Sequence, residues 1–189
     1  AIVNSIQSIE DLKDKSNSYI KVIIERDTSQ KSIQDADGSL YSIENVIIED
    51  NGIGFNDDNF KSFLTSDSMY KQAKGGKGIG RLLWLIAFEK VDIKSTYEKD
   101  GCYYDRDFIF SLEGKHIEII YEVPSKRNRL YTSVKLINYK EIYKSSHPKK
   151  LDTIAIKVIE HCISYFILKD YPDIIIDDGF TSISLNMLF

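Results

Sequence analysis

The sequence predicts an α+β fold, a two-layer sandwich in which a mostly antiparallel mixed sheet carries helices on one face. Three observations lead to this prediction. Two alternating apolar runs early in the chain flank a turn signal, and further alternating runs follow in its middle third. An apolar stripe of helical period lies near the end of the chain, and helix-like patterns also precede and separate the strands.

The chain opens with the end of a helix, residues 1–13, and continues into a predicted hairpin. Residues 18–27, SYIKVIIERD, alternate and are rich in isoleucine and valine, which is typical of a strand. Residues 41–50, YSIENVIIED, have the same pattern. The turn signal Asp37-Gly38 lies between the two runs and favours their antiparallel pairing.

The middle of the chain changes from polar segment to helix to strands. Residues 56–74 are polar with scattered apolar positions, which suits a short helix and a mobile segment. The glycine-rich run 75–80, GGKGIG, opens onto a predicted helix at 81–90. Turn signals then separate four alternating runs, and we expect them to form an antiparallel meander of residues 91–98, 102–112, 115–123 and 130–139.

The last fifty residues predict one more helix and two strands. Pro148 can open a helix over 148–169. Its apolar residues recur at the helical spacing and indicate a helix that packs on the core: Leu151, Ile154, Ala155, Val158, Ile159, Cys162, Ile163, Phe166 and Ile167. Residues 173–177 and 182–188 suit strands. We therefore expect a domain over 1–139, with its N-terminus trimmed, and a C-terminal extension over 140–189 that packs on it or leads to a further domain.

Composition excludes several classes of function. The net charge of −4 gives no general attraction for nucleic acid or a membrane surface, and no apolar run approaches the roughly 20 residues of a membrane span. Cys102, Cys162 and the three histidines lack the spacing of a metal site. Free thiols in a reducing compartment fit this cysteine usage, so we expect a cytoplasmic protein.

A carboxylate and two glycines end the second predicted strand. Val46, Ile48 and Asp50 share one face of that strand, so Asp50 stands at the edge of an apolar layer and needs hydrogen-bond donors. The exocyclic amine of a purine is one candidate donor. Gly52 and Gly54 would allow the backbone to turn and a flat ring to approach closely. A simple turn with an Asx cap explains the same residues when they are taken alone.

The glycine-rich run 75–80 supplies a second pattern. Free backbone N–H groups in front of a helix favour an anion, such as a phosphate, and Lys77 and Arg81 add positive charge. The run has no GK[ST] and therefore is not a P-loop. It also lacks the parallel βαβ unit of a dinucleotide site.

With both glycine boxes present, the chain resembles the GHKL, or Bergerat-fold, ATP-binding superfamily, which includes gyrase B, the heat-shock-ninety chaperones, histidine kinases, MutL and MORC-type ATPases. The resemblance implies that Asp50 accepts a hydrogen bond from the adenine amine and that residues 56–74 form an ATP lid. It implies that the backbone of the second box holds the phosphates. It also brings Thr132 to the adenine, although Tyr131 stands where the family has glycine.

The resemblance extends to the first helix. AIVNSIQS, residues 1–8, is similar to the family's asparagine box, which implies that Asn4 helps to bind Mg²⁺ and that Ser8 lies near the adenine pocket. The family's catalytic glutamate would lie four residues before Asn4, and hence before Ala1, so the chain contains no expected catalytic residue. The implied nucleotide-binding residues are Asn4, Ser8, Asp50, Gly52, Gly54, Gly75, Gly76, Lys77, Gly78, Ile79, Gly80 and Thr132.

The function that the resemblance implies is an ATP- and Mg²⁺-binding domain of an ATP-driven conformational switch, whose lid closes over the nucleotide. The complete protein is an ATPase if a glutamate occupies the missing position, and it can form a homodimer. The alternatives are a non-hydrolysing nucleotide-binding regulatory module, a histidine kinase catalytic domain, and an interaction domain whose glycines only form turns. The bulky helix RLLWL after the second box places the chain closer to the chaperone, MutL and MORC side than to the kinases.

Overall fold

A computed structural model of the protein describes residues 1–28, 41–65, 80–113, 116–144, 146–168 and 172–189. The helices are α1 Ile2–Glu10, α2 Asp57–Leu64, α3 Gly80–Ala87, α4 Glu141–Lys144, α5 Leu151–His161 and α6 Ile163–Leu168, with a 3₁₀ turn at Leu185–Met187. The strands are β1 Tyr19–Arg26, β2 Ile43–Asp50, β3 Phe88–Lys99, β4 Cys102–Ser111, β5 Ile117–Pro124, β6 Tyr131–Tyr139, β7 Asp173–Asp177 and β8 Ser182–Ser184.

The described strands form one eight-stranded mixed sheet in the order β5-β4-β3-β6-β2-β1-β7-β8. All neighbouring strands pair antiparallel except β1 and β7, which are parallel. Apolar side chains from α1, α2, α3, α5 and α6 join the inward residues of the sheet in one buried cluster. This architecture confirms the predicted α+β sandwich, because each layer buries the apolar face of the other.

The predicted four-strand meander is wrong at its last strand. Strands β3, β4 and β5 are sequential hairpin neighbours, but β6 returns to pair with β3 and β2, which is the strand order of a Greek key. Burial explains the difference. Residues of β6 alternate between buried and half-buried, so this strand takes a central position, whereas almost every residue of β5 is exposed at the edge.

The predicted single helix over 148–169 is wrong as well, because it is broken at Cys162. The backbone N–H of Cys162 donates to both Val158 and Ile159 and so closes α5, and α6 starts at the next residue. Cys162 is buried, but the break interrupts the helical period of the stripe. Ile163 and Ile167, which the stripe placed toward the core, are therefore exposed.

Two element boundaries also differ from the prediction. The apolar helix ends at Ala87, because Phe88 already pairs with Tyr139 and Lys90 with Ile137 in the sheet. The predicted strand over 182–188 is a strand only at Ser182–Ser184 and then turns into the 3₁₀ segment. The Asp37-Gly38 turn lies outside the described residues, but β1 and β2 pair antiparallel as expected.

The C-terminal strands are bound to β1 through a buried ion pair. Arg26, the last residue of β1, donates from Nε and Nη2 to Oδ2 of Asp178 at 2.9 and 2.7 Å. The same guanidinium donates to the carbonyl oxygens of Tyr41 and Lys149 at 2.8 Å. Within the described residues, no helix is long and apolar enough to cross a membrane.

Candidate functional site

The candidate site is a pocket between α1, the loop after β2, α2 and the adjoining strands of the sheet. Five of the residues that the sequence predicts line this pocket: Asn4, Ser8, Asp50, Gly54 and Thr132. Aromatic side chains of Phe55, Phe63 and Trp84 contribute apolar surface to it. The fold thus brings the asparagine box, the first glycine box and the predicted threonine to one place.

Asp50 is the most buried charged group of the pocket. It ends β2, where it lies opposite Ile20 of β1 and Thr132 of β6, and it is only 2% exposed. Its Oδ1 accepts a hydrogen bond from the N–H of Gly52 at 2.9 Å, and Ser5 of α1 provides another. Burial raises the pKa of Asp50 to about 6, although these two hydrogen bonds lower it. The pocket therefore contains a carboxylate that further donors would stabilise.

Gly52 lets α1 pack directly on the loop. A Cβ atom at this position would lie 2.4 Å from Oγ of Ser8 and 2.8 Å from its carbonyl carbon. The adjacent N–H of Ile53 donates to the Ser8 carbonyl at 3.2 Å. The glycine is thus required by the close approach of two backbones, which fixes α1 at the pocket.

Replacing Gly52 by alanine should push α1 away and lower the free energy of unfolding by about 1–3 kcal/mol, because Ser8 has backbone as well as side-chain atoms in the way. Urea unfolding measures the effect. Gly80→Ala is the matched control, since a Cβ there meets no atom of the described residues within 4 Å, and alanine favours a helix by up to about 1 kcal/mol. Equal stability of the Gly52→Ala protein and the wild type would contradict the close packing of α1.

Gly54 adopts a left-handed conformation, with φ of +71°, that glycine favours. Its N–H donates to Oγ of Ser8 at 3.2 Å, and its carbonyl oxygen accepts from Nδ2 of Asn59 at 2.8 Å. A Cβ atom here would lie 2.6 Å from Oγ of Ser95. Side chains of α1, α2 and β3 therefore determine where the backbone of this loop lies.

Thr132 is buried between two partners on neighbouring strands. It lies opposite Asp50 on β2 and opposite Ser95 on β3. The hydroxyl oxygens of Thr132 and Ser95 are 3.1 Å apart, and Ser95 also accepts the N–H of Phe55 at 2.9 Å. A short chain of hydrogen bonds thus connects the predicted threonine to the first glycine box.

The second glycine box is only partly described. Gly80 is the first residue of α3 and lines a neighbouring apolar groove rather than the pocket that contains Asp50. Gly75, Gly76, Lys77, Gly78 and Ile79 lie outside the described residues, as do residues 66–74 of the proposed lid. Residues 57–64 of that lid form α2, which Asn56 caps by accepting the N–H of Asn59 at 2.9 Å.

Sequence reasoning missed several polar residues of the candidate site, among them Ser5, Asn59 and Ser95. Ser5 directly follows Asn4 on α1, so the asparagine box could have drawn attention to it. Asn59 lies three residues after a helix-capping asparagine, which is a local signal. Ser95 has no local signal, because its role depends on β6 pairing with β3, and the predicted meander placed β6 elsewhere.

No protein-family model matches the sequence, and no curated protein was found to match it. Solved structures do match. The ATPase region of Saccharomyces cerevisiae topoisomerase II has a TM-score of 0.55 and 17% identity, over 96% of this chain and 46% of that one. The same yeast region bound to ICRF-187 (dexrazoxane) gives a TM-score of 0.53, 16% identity, and coverage of 96% and 46%.

The Aquifex aeolicus MutL ATPase domain complexed with ADP has a TM-score of 0.50 and 14% identity, over 97% of this chain and 59% of that one. At these identities the similarity shows the fold, and the chain has the Bergerat fold that the sequence resemblance implied. The chain spans about half the length of these solved structures.

Proposed function

We propose that this chain binds ATP and Mg²⁺ as the nucleotide-binding domain of an ATP-driven conformational switch. One observation carries the proposal: Asp50 is a buried carboxylate in a pocket formed by α1, the first glycine box and Thr132. The fold supports it, because the MutL ATPase domain that shares it was solved with ADP.

The chemistry of Asp50 suits the amine of an adenine ring. An ionised carboxylate has about four acceptor positions, and Ser5 and Gly52 use two of them. The adenine amine is a neutral donor that fits this pocket without bringing in a second charge. The apolar surface of Phe55 and Trp84 suits the faces or edges of a flat ring.

The triphosphate and its Mg²⁺ belong at the α1 and α3 side of the pocket in this proposal. Asn4 lines the same pocket as Asp50, and its amide oxygen is a ligand type that Mg²⁺ accepts. The bound Mg²⁺ would neutralise charge on the phosphate oxygens. The second glycine box would hold the phosphates with its backbone, and the lid over 56–74 would close on them.

We propose ATP hydrolysis only for a complete protein in which a glutamate lies four residues before Asn4, where it can act as general base for the attacking water. A residue without a carboxylate at that position makes the chain a non-hydrolysing regulatory module. In either case, lid closure and homodimer formation would be the ways in which bound ATP changes the protein. Single-turnover hydrolysis by the full-length chain distinguishes the two cases.

Calorimetric titration with ATP, ADP and GTP in the presence of Mg²⁺ tests nucleotide binding. We expect ATP and ADP to bind with a free energy of about −7 to −8 kcal/mol, which is micromolar affinity. GTP should bind at least about tenfold more weakly, because its carbonyl oxygen would face the carboxylate of Asp50 where adenine has a donor. Equal affinity for GTP, or no affinity for any of the three nucleotides, would contradict the proposal.

A further inference from the structure

A buried arginine that does not line the pocket donates a hydrogen bond to the backbone at the end of the first glycine box. Arg106 of β4 is 3% exposed and does not line the pocket that contains Asp50. Its guanidinium lies between two aromatic rings, 4.6 Å from the centroid of Phe60 and 4.7 Å from that of Tyr97. An arginine in such a place requires partners for its charge and its donors.

Those partners belong to two different parts of the fold. Nη1 donates to the carbonyl oxygen of Phe55 and Nη2 to Oδ1 of Asp57, both at 2.7 Å. Nε donates to Oε2 of Glu122 at 3.1 Å, and Nη2 also lies 3.1 Å from the hydroxyl of Tyr97. One side chain therefore connects the start of α2 to strands β3 and β5.

The contact with Phe55 lies at a sensitive point of the site. Phe55 follows Gly54, which adopts a left-handed conformation. Glycine adopts other backbone conformations about as easily, so contacts from elsewhere must hold the loop in this one. Gly54, Phe55 and Asn59 all line the pocket. A bond to the Phe55 carbonyl and another to Asp57 hold both ends of the turn between Gly54 and α2.

We propose that Arg106 is a positioning residue of the nucleotide site, which fixes the first glycine box and the start of α2 without touching the ligand. The inference rests on the proposed function only for its effect on ATP binding. The effect of Arg106 on the loop does not depend on it. A lysine at this position keeps the charge but has no planar fork, so it cannot serve Phe55, Asp57 and Glu122 together.

Arg26 provides a matched control. It is also a buried, ion-paired arginine, at 7% exposure, but its partners Asp178, Tyr41 and Lys149 lie away from the pocket. Arg106→Lys and Arg26→Lys should both lower thermal stability. Only Arg106→Lys should disturb the glycine box, so the comparison separates positioning from a general loss of stability.

The experiment measures amide hydrogen exchange of Gly54 and Phe55 in the free protein, and ATP affinity by calorimetry, at a temperature where both variants are folded. Arg106→Lys should speed exchange at these two amides and weaken ATP binding, each by about tenfold or more, because charge-assisted hydrogen bonds of this kind contribute that much. Arg26→Lys should leave both values within about twofold of the wild type, since its bonds are elsewhere.

Equal exchange of Gly54 and Phe55 in the two lysine variants would overturn the inference, whatever the result with ATP. A wild type that does not bind ATP would overturn the proposed function, and the exchange rates would still decide whether Arg106 fixes the loop. If Arg106→Lys does not fold, Asp57→Ala takes its place, because it removes the carboxylate that accepts from Arg106, at a half-exposed position. Lys99→Met, which removes the other ion-pair partner of Asp57, is then its control.

Discussion

Asparagine in place of Asp50 should strongly weaken adenine-nucleotide binding and at the same time raise the stability of the fold at pH 7. The amide keeps the shape of the side chain and can accept from Gly52 through its oxygen. It replaces part of the acceptor surface with an NH₂ donor, which then faces the donor of adenine. The site then loses one charge-assisted hydrogen bond to adenine and places two donors against each other with no acceptor between them. Together these changes should weaken ATP binding at least about 100-fold.

The gain in stability follows from the pKa of Asp50. Because burial raises it from 3.8 to about 6, the folded protein holds this proton more tightly than the unfolded chain does. Ionised Asp50 therefore costs the wild type about 3 kcal/mol, a cost that is fully present above pH 6. The cost disappears as the pH falls through 6 toward 3.8, where the carboxyl is neutral in both states.

Urea unfolding of wild type and Asp50→Asn across this pH range measures the cost, and calorimetry measures the loss of ATP affinity. Asp107→Asn is the matched control, because Asp107 is also buried, at 7% exposure, and burial also raises its pKa, but it does not line the pocket. ATP affinity should not change in that variant. A stability difference between wild type and Asp50→Asn that is the same at every pH, or unchanged ATP affinity, would contradict this role of Asp50.

Methionine in place of Arg26 should cause the largest loss of stability, about 3–5 kcal/mol, which is typical when one partner of a buried ion pair is removed. Both side chains of the pair are at most 1% exposed. Burial raises the pKa of Asp178, but donors from Thr181, Arg26 and Phe180 outweigh this effect and hold the pKa below its usual value. Without Arg26, a buried carboxylate loses its counter-charge, and two carbonyl oxygens lose their donor.

Lys21→Met is the control, because it breaks an ion pair of the same strand, Lys21 with Asp177, whose side chains are 42% and 29% exposed. Exposed pairs contribute about 0–1 kcal/mol. Urea unfolding at pH 7 should therefore separate the two variants clearly. A loss for Arg26→Met no larger than that for Lys21→Met would mean that the pair does not hold β7 to β1.

Local patterns were enough to predict the fold class and the loop that lines the candidate site. Period-two runs identified β1 and β6 because one face of each is buried and the other is not. The spacing of Asp50, Gly52 and Gly54 identified the loop. A carboxylate at the edge of the core and a close approach of two backbones require an aspartate and glycines at particular positions, which the sequence shows directly. These features depend on residues that are close together along the chain.

The features that sequence reasoning missed depend on distant residues. Arg106 contacts Phe55, 51 positions away, and Arg26 contacts Asp178, 152 positions away. Neither arginine differs locally from a solvated strand residue. The pairing of β6 with β3 likewise depends on which strands take the buried positions in the sheet, and these strands are far apart in the chain. The helix break at Cys162 has no glycine or proline nearby that would predict it.

Amide chemical-shift mapping of the chain with ATP and Mg²⁺ tests most directly whether the pocket at Asp50 is the nucleotide site. The account predicts that the largest changes fall on Asn4 and Ser8 of α1, on residues 50–55 and on Thr132, while β7 and β8 change little. A nucleotide that leaves these amides unchanged at millimolar concentration, or that shifts residues of another surface instead, would contradict the account.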